Sequence, residues 1–129
     1  MEIAKEIENY YLTQDFNCGE ATLRILNDRY GLGLQEADFH LVSGFGGGCG
    51  CGVLCGALAA SIAALGSRKV AQRAHITPGF KEDCAALCAQ FSQCVGSTDC
   101  AQIRPRYFRD GTRCASVLQA ALDSFDALR

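Results

Sequence analysis

The sequence predicts an all-α protein that folds as one helical domain over residues 1–129. Apolar residues recur every three or four positions in several segments, and no segment alternates apolar and polar residues over the length of a strand. Glycine and proline interrupt these segments where helices are expected to begin and end. We therefore expect a bundle of about five main helices, with a glycine-rich loop before a buried central helix.

Two amphipathic helices open the chain. Apolar residues at helical spacing predict the first from Glu2 to about Leu12. Asn17 and Glu20 are three residues apart and indicate a capping box, which starts a second helix over Cys18–Tyr30. Two glycines end that helix, and a short helix over Gln35–Val42 leads into the next loop.

The glycine loop, residues 44–52, contains six glycines and precedes the central helix. Val53 to Leu65 is the longest apolar run, and it is too short to cross a bilayer, so it is typical of a buried core helix. Gly66 is expected to end this helix. One edge of it carries small residues that would let another helix approach closely: Gly52, Gly56, Ala60 and Ala64.

Three segments complete the predicted bundle. The basic segment 67–76 has a weak pattern that allows either a helix or an irregular excursion. Thr77-Pro78 predicts the start of a helix that ends at Gly96, and a brief helix follows between Ser97 and Pro105. The last helix has the clearest apolar stripe, which runs from Cys114 to Phe125.

Composition narrows the function classes. The formal net charge of −2 argues against a general nucleic-acid-binding protein. The N-terminal sequence MEIAKEIENYYL has the pattern of an acidic amphipathic helix and not of a secretory signal, so we expect a cytoplasmic protein without a membrane span. Nine cysteines in such a chain favour metal binding or redox chemistry over a disulfide scaffold.

Four cysteines share one predicted position, near the start of a helix and on its inward face. These helix-start cysteines are Cys18, Cys55, Cys100 and Cys114. Unpaired N–H groups and the positive dipole at a helix start push a thiol toward thiolate. If the four sulfurs meet, they could ligate zinc, another metal or an iron–sulfur cluster, or form two reversible disulfides, and the sequence leaves these chemistries open.

Five residues of the glycine loop are candidates for holding a cofactor or tuning the sulfurs. They are Gly46, Gly47, Gly48, Cys49 and Cys51. Glycine backbone can approach sulfur closely and supply N–H groups, and the Cys-x-Cys pair could chelate a metal or exchange disulfides. Phosphate binding is a weaker interpretation, because no Gly-x-Gly-x-x-Gly register, following Lys-Ser/Thr or preceding strand is present.

Other features allow a structural and a functional interpretation. Cys84 and Cys88 are four residues apart on an apolar face, which favours core packing and would also suit one edge of a metal site. Four arginines near the last two helix-start cysteines form either a solvated face or a source of positive charge that lowers thiol pKa. They are Arg104, Arg106, Arg109 and Arg113. No catalytic triad or carboxylate pair stands at catalytic spacing, so no motif assigns a reaction.

The order of these features resembles the C_GCAxxG_C_C family, proteins of about this length that are described as redox-active. The matching features are Asn17-Cys18, Gly44-Phe45-Gly46-Gly47-Gly48-x-Gly50 before Cys55-Gly56-Ala57, Gly96-Ser97-Thr98-Asp99-Cys100, and Cys114 opening the last helix. The resemblance covers residues 17–118 and implies that the helix-start cysteines are the family's four characteristic cysteines. Ala60 replaces the glycine that closes the CGAxxG motif, which affects helix packing and removes no thiol.

Two hypotheses from different classes follow. In the first, a cytoplasmic redox protein uses the helix-start cysteines together, as metal or cluster ligands or as dithiols, with an electron-transfer or thiol protein as its partner. In the second, the chain is a non-catalytic helical interaction module, dimeric through its small-residue edge, whose cysteines only pack. The first hypothesis requires that the four sulfurs gather in one place.

Overall fold

The computed structural model describes residues 2–128, and it is all-helical as the sequence predicts. Its seven α-helices are α1 (Lys5–Ile7), α2 (Cys18–Tyr30), α3 (Glu36–Phe39), α4 (Gly56–Lys69), α5 (Phe80–Val95), α6 (Cys100–Tyr107) and α7 (Ala115–Asp126). Five of them have eight or more residues, and α1 and α3 are single turns. Over the described residues, no helix has the length and apolar character needed to cross a membrane.

Helices α2 and α4 form the centre of the fold, and their mutual contact is the most extensive of any pair. Helices α5 and α7 pack against each other and against α4, which closes the core on the other side. The largest fully buried side chains include Ile25, Leu58, Phe91, Leu118 and Phe125. Each such side chain contributes about 1.5–3 kcal/mol through burial, so these four helices carry most of the hydrophobic stabilisation.

The central helix begins three residues later than predicted. Residues 53–55 are extended instead of helical, and they pair antiparallel with residues 98–100. The Cys55 N–H donates to the Thr98 carbonyl, and the Cys100 N–H donates to the Val53 carbonyl, each at 2.8 Å. The Val53 side chain is 49 % exposed, so this end of the apolar run is not buried. The pairing joins the start of α4 to the start of α6.

Two predicted helix stops do not act as stops. Helix α4 continues past Gly66 to Lys69, because Gly66 lies outside the left-handed region and can remain helical. Helix α6 continues through Pro105 to Tyr107. A proline removes only one N–H donor from so short a helix, and the Phe108 N–H still donates to the Arg104 carbonyl at 2.9 Å.

Three other boundaries shift by a few residues. Helix α1 begins at Lys5 and passes into a π-helical turn over Glu8–Thr13, which follows the predicted first helix closely. Helix α5 begins at Phe80 after the left-handed Gly79, two residues beyond the predicted proline start. The basic segment 67–76 contributes the last turn of α4 and a 3-10 turn, Ala74–Ile76.

The small-residue edge of α4 is used inside the chain. Gly56, Ala60 and Ala64 are all buried in the folded monomer. Small side chains on α4 permit the close approach of the neighbouring elements that bury it. Only Gly52 of the predicted edge is partly exposed, so the three buried residues serve packing inside the chain, and a dimer stays a prediction.

The start of α2 is fixed by the predicted capping box. Asn17 Oδ1 accepts from the Glu20 N–H at 2.9 Å, and Glu20 Oε1 accepts from the Asn17 N–H at 3.0 Å. Asn17 Nδ2 also donates to the Ser43 carbonyl at 2.8 Å, which ties this helix start to the segment that leads into the glycine loop. These three contacts position Cys18, the first residue of α2.

We predict that Asn17→Ala lowers the free energy of unfolding by about 1–3 kcal/mol, since it removes both the helix cap and the bond to Ser43. Asn17→Ser is the matched control: its hydroxyl can still cap α2, and only the bond to Ser43 is lost. The serine variant should therefore lose roughly half as much. Urea unfolding of the two variants measures the difference, and equal losses would contradict the role given to the cap.

Candidate functional site

The helix-start cysteines occupy the positions that the sequence predicts. Cys18 and Cys100 are the first residues of α2 and α6. Cys55 and Cys114 directly precede α4 and α7. Local sequence signals were therefore sufficient to place each cysteine on its own element.

Three of these cysteines also come together in space. Cys18, Cys100 and Cys114 line one cavity of about 260 Å³, together with Tyr11 and other residues. Cys55 is only 6 % exposed and does not line this cavity, but it directly precedes Gly56, which lies against the Cys18 sulfur. Three helix starts from distant parts of the chain therefore converge on one cavity, and the fourth lies beside it.

Two glycines allow the backbone to lie directly against these cysteines. A Cβ atom added at Gly56 would lie 2.6 Å from Cys18 Sγ and 2.6 Å from the Phe45 carbonyl oxygen. A Cβ atom added at Gly48 would lie 2.6 Å from the Cβ of Cys100, and Gly48 has a φ of +63°. Any side chain at either position would push the cysteine away, so both glycines serve close approach.

The five candidate residues of the glycine loop divide into an inner and an outer group. Gly47 lines the cavity, and Gly46 packs against the side chain of Asn17, where a Cβ would lie 2.7 Å from its Nδ2. Cys49 and Cys51 are exposed and do not line the cavity. The inner glycines are thus part of the site, whereas the Cys-x-Cys pair faces solvent outside it.

For Cys18, Cys55 and Cys114, burial outweighs the N–H groups at the helix start in setting the thiol pKa. Desolvation raises the pKa of Cys55 to about 12, although the N–H groups of Leu58 and Ala57 oppose it. Desolvation is also the largest cause of the raised pKa of Cys18 and of Cys114. The expectation that a helix start shifts these three thiols toward thiolate is therefore wrong, because each is too well shielded from water.

Two of the four predicted arginines face the cavity. Arg104 and Arg113 both line it. Burial raises the pKa of Cys114 and neighbouring thiols add to this, while the two guanidinium groups pull the pKa back toward its usual range. The charge-source interpretation therefore fits this pair, and the solvated-face interpretation fits the other two, Arg106 and Arg109, which are exposed and do not line the cavity.

The N-terminal segment holds the start of α7 in place. The Tyr11 hydroxyl accepts from the Cys114 N–H at 3.1 Å. Arg113 has a φ of +51°, and its guanidinium donates to the Tyr11 carbonyl and pairs with Asp15 at 3.2 Å. These contacts compensate for the left-handed backbone and fix Cys114 over the cavity. The sequence places Tyr11 only within the predicted first helix, because a contact over such a chain distance leaves no local signal.

The remaining cysteines lie outside this site. Cys84 and Cys88 are partly buried on α5 and pack at the edge of the core, which agrees with the core-packing interpretation. Desolvation, followed by the neighbouring Cys88, raises the pKa of Cys84. Cys94 is exposed near the end of α5.

Metal binding was tested against the arrangement of the side chains. Between residues 2 and 128, no group of three or more His, Cys, Asp and Glu side chains is arranged to hold a metal ion. Three helix-start thiols line a common cavity, but they do not present a ready set of ligands at coordination distance. Ligation of a metal or an iron–sulfur cluster by these cysteines therefore stays a prediction.

The fold and the site define a small all-helical protein in which three helix-start thiols line one cavity and the fourth is buried. A family model described as "Putative redox-active protein (C_GCAxxG_C_C)" matches residues 16–128. The chain belongs to this family, as the order of its motifs indicates. Comparison with curated proteins and with solved structures found no match in either set.

We predict that Gly56→Ala lowers the free energy of unfolding by about 1–3 kcal/mol, because the added methyl group overlaps Cys18 Sγ and the Phe45 carbonyl. Gly66→Ala in the same helix is the control. Its nearest neighbour would be Phe80 Cζ at 3.8 Å, so the alanine should stabilise the helix by about 0.5–1 kcal/mol. Chemical unfolding of both variants measures this, and a shift of the same sign in each would refute the close-approach argument.

We also predict that Cys55 makes stability depend on alkaline pH. Its pKa is 9.0 in an ordinary setting and about 12 in the folded chain, so the folded state holds the proton more tightly. The contribution of Cys55 to the free energy of unfolding is fully present below pH 9. It is lost as pH rises toward 12, at about 1.4 kcal/mol per pH unit.

Urea unfolding between pH 8 and 10.5 tests this in two variants. Cys55→Ala removes the group, so its free energy of unfolding should fall less steeply with pH than that of the wild type. Cys94→Ala removes an exposed cysteine and should keep the wild-type slope. If the wild-type and Cys55→Ala curves run parallel, the assigned role of Cys55 is incorrect.

Proposed function

We propose that this protein is a thiol–disulfide redox protein whose centre is the set of helix-start cysteines. The observation that carries the proposal is that Cys18, Cys100 and Cys114 line one cavity, with Cys55 buried beside it, in a chain whose family is described by redox activity. Two thiols of the set lose two protons and two electrons and form one S–S bond. A disulfide of the partner accepts the electrons and becomes two thiols.

Cys18 and Cys100 are the sulfurs best placed to change partners within the set. The Cys18 thiol acts electrostatically on Cys55 and Cys114, and the Cys100 thiol acts on all three of the others. A sulfur with neighbours on either side can hand a disulfide from one neighbour to the other. This arrangement supports exchange inside the site rather than a single fixed pair.

Cys100 and Cys55 have different parts in this proposal. Cys100 lines the 260 Å³ cavity and also a second, neighbouring cavity of about 450 Å³, so a partner's sulfur can reach it from outside. Cys55 is buried and holds its proton to about pH 12, which suits an inner thiol that acts only after the first exchange. A reducing compartment such as the cytoplasm would return the centre to its dithiol state.

The test counts the free thiols before and after oxidation and locates the disulfides that form. The fully reduced chain has nine. After mild oxidation with diamide it should lose about two or four of them reversibly, and peptide mass spectrometry without reductant should place the disulfides among the helix-start cysteines. Cys18→Ser should abolish most of this reversible loss. Cys94→Ser, which changes an exposed cysteine outside the site, should retain it.

Two results would overturn the proposal. Visible absorbance with iron and acid-labile sulfide in anaerobically purified protein would select a cluster in place of disulfide exchange. A chain that keeps all nine thiols under mild oxidation and contains no metal would select the interaction module, in which these cysteines only pack.

A further inference from the structure

We propose that the site takes small disulfides that carry an acidic group, and that Arg104 binds that group while Cys100 reacts with the sulfur. This inference rests on the proposed thiol function and adds the chemical class of its substrate. It is carried by the two cavities at the start of α6, by the charges around them and by the position of Arg104 between them.

The two cavities share a wall. Gly47, Cys100, Arg104 and Phe108 line both the 260 Å³ cavity and the neighbouring 450 Å³ cavity. Cys100 and Arg104 are four residues apart in α6, so their side chains lie on the same face of the helix. Together the cavities have the size of a small-molecule site, with a thiol and a cation at the boundary between them.

The Arg104 guanidinium at this boundary carries a positive charge that no acidic side chain neutralises. None of the residues that line either cavity is acidic. Within residues 2–128 the Arg104 guanidinium makes no ion pair, whereas Arg113 on the other side of the cavity is already paired with Asp15. A carboxylate entering the cavity would therefore meet an uncompensated cation, and a cationic ligand would be disfavoured.

The guanidinium is also held in position. It lies 4.4 Å from the centroid of the Phe108 ring, an arrangement that keeps its N–H groups directed along the ring plane and free to donate. Ala101 and Pro105 add apolar surface to the larger cavity, which suits the carbon skeleton of a ligand. The site thus offers a cation, an apolar wall and a thiol to one small molecule.

The exchange proceeds in two balanced steps. Cys100 loses its proton to solvent, and its thiolate attacks one sulfur of the ligand disulfide. The ligand S–S bond breaks as a protein–ligand S–S bond forms, and the departing half leaves as a thiolate that takes a proton. A second helix-start thiol then displaces the bound half in the same way, which leaves a protein disulfide and two ligand thiols.

The test compares an anionic and a neutral aromatic disulfide, 5,5′-dithiobis(2-nitrobenzoate) and 2,2′-dithiodipyridine. The parent chain carries serine in place of the exposed cysteines at 49, 51 and 94, so that reaction at the site is measured. Arg104→Gln should slow the anionic probe about 5- to 20-fold and change the neutral probe less than about twofold. Added salt should slow the anionic probe in the parent and much less in this variant.

Arg106→Gln is the matched control. Arg106 belongs to the same helix and carries the same charge, but it lines neither cavity. This variant should change both probes by less than about twofold. Mass spectrometry of the first adduct should place it on Cys100 in every case.

The outcomes separate the two proposals. If Arg104→Gln slows both probes equally, or if Arg106→Gln slows the anionic probe as much, the inference about acidic ligands fails and the thiol function stands. If neither probe modifies a helix-start cysteine in the parent chain, the thiol function itself fails.

Discussion

The close approach of glycine backbone to two cysteines is the constraint on which the rest of this structure depends. At Gly56 and Gly48 there is no room for a side chain, so the first turn of α4 and the glycine loop lie directly against Cys18 and Cys100. The antiparallel pairing of residues 53–55 with residues 98–100 then locks the start of α4 to the start of α6. A single bulky residue at either glycine would move two helix starts and open the site.

That tight packing raises the pKa of the thiols that it buries, because it removes water from around them. Cys55 is shielded so well that its pKa reaches about 12, and the N–H groups at the start of α4 oppose this only in part. Positive charge is placed on the open side instead, where Arg104 and Arg113 act on Cys114. Burial and positive charge therefore act in opposite directions on the pKa of the thiols at this site, and burial has the larger effect on Cys114.

Local features of the fold could be predicted from the sequence, and long-range contacts could not. The bounds of α2 and its capping box follow from Asn17, Glu20 and the glycines after Tyr30, all of which act within a few residues. The extended segment at Val53 has no such signal, since its partner lies far along the chain. A short apolar run is also equally compatible with a helix and with an extended segment. Raised thiol pKa values were missed for the same reason, because burial is set by the assembled chain.

The contacts of Tyr11 with Arg113 and Cys114 join the first helical segment to the last helix. Residues 113 and 114 lie about a hundred positions after Tyr11, so this wall of the cavity is complete only once they dock on the N-terminal segment. During translation Cys18, Cys55 and Cys100 are added to the chain before Cys114. The docking of residues 113 and 114 on Tyr11 is therefore the folding step that brings Cys114 to the other thiols of the cavity.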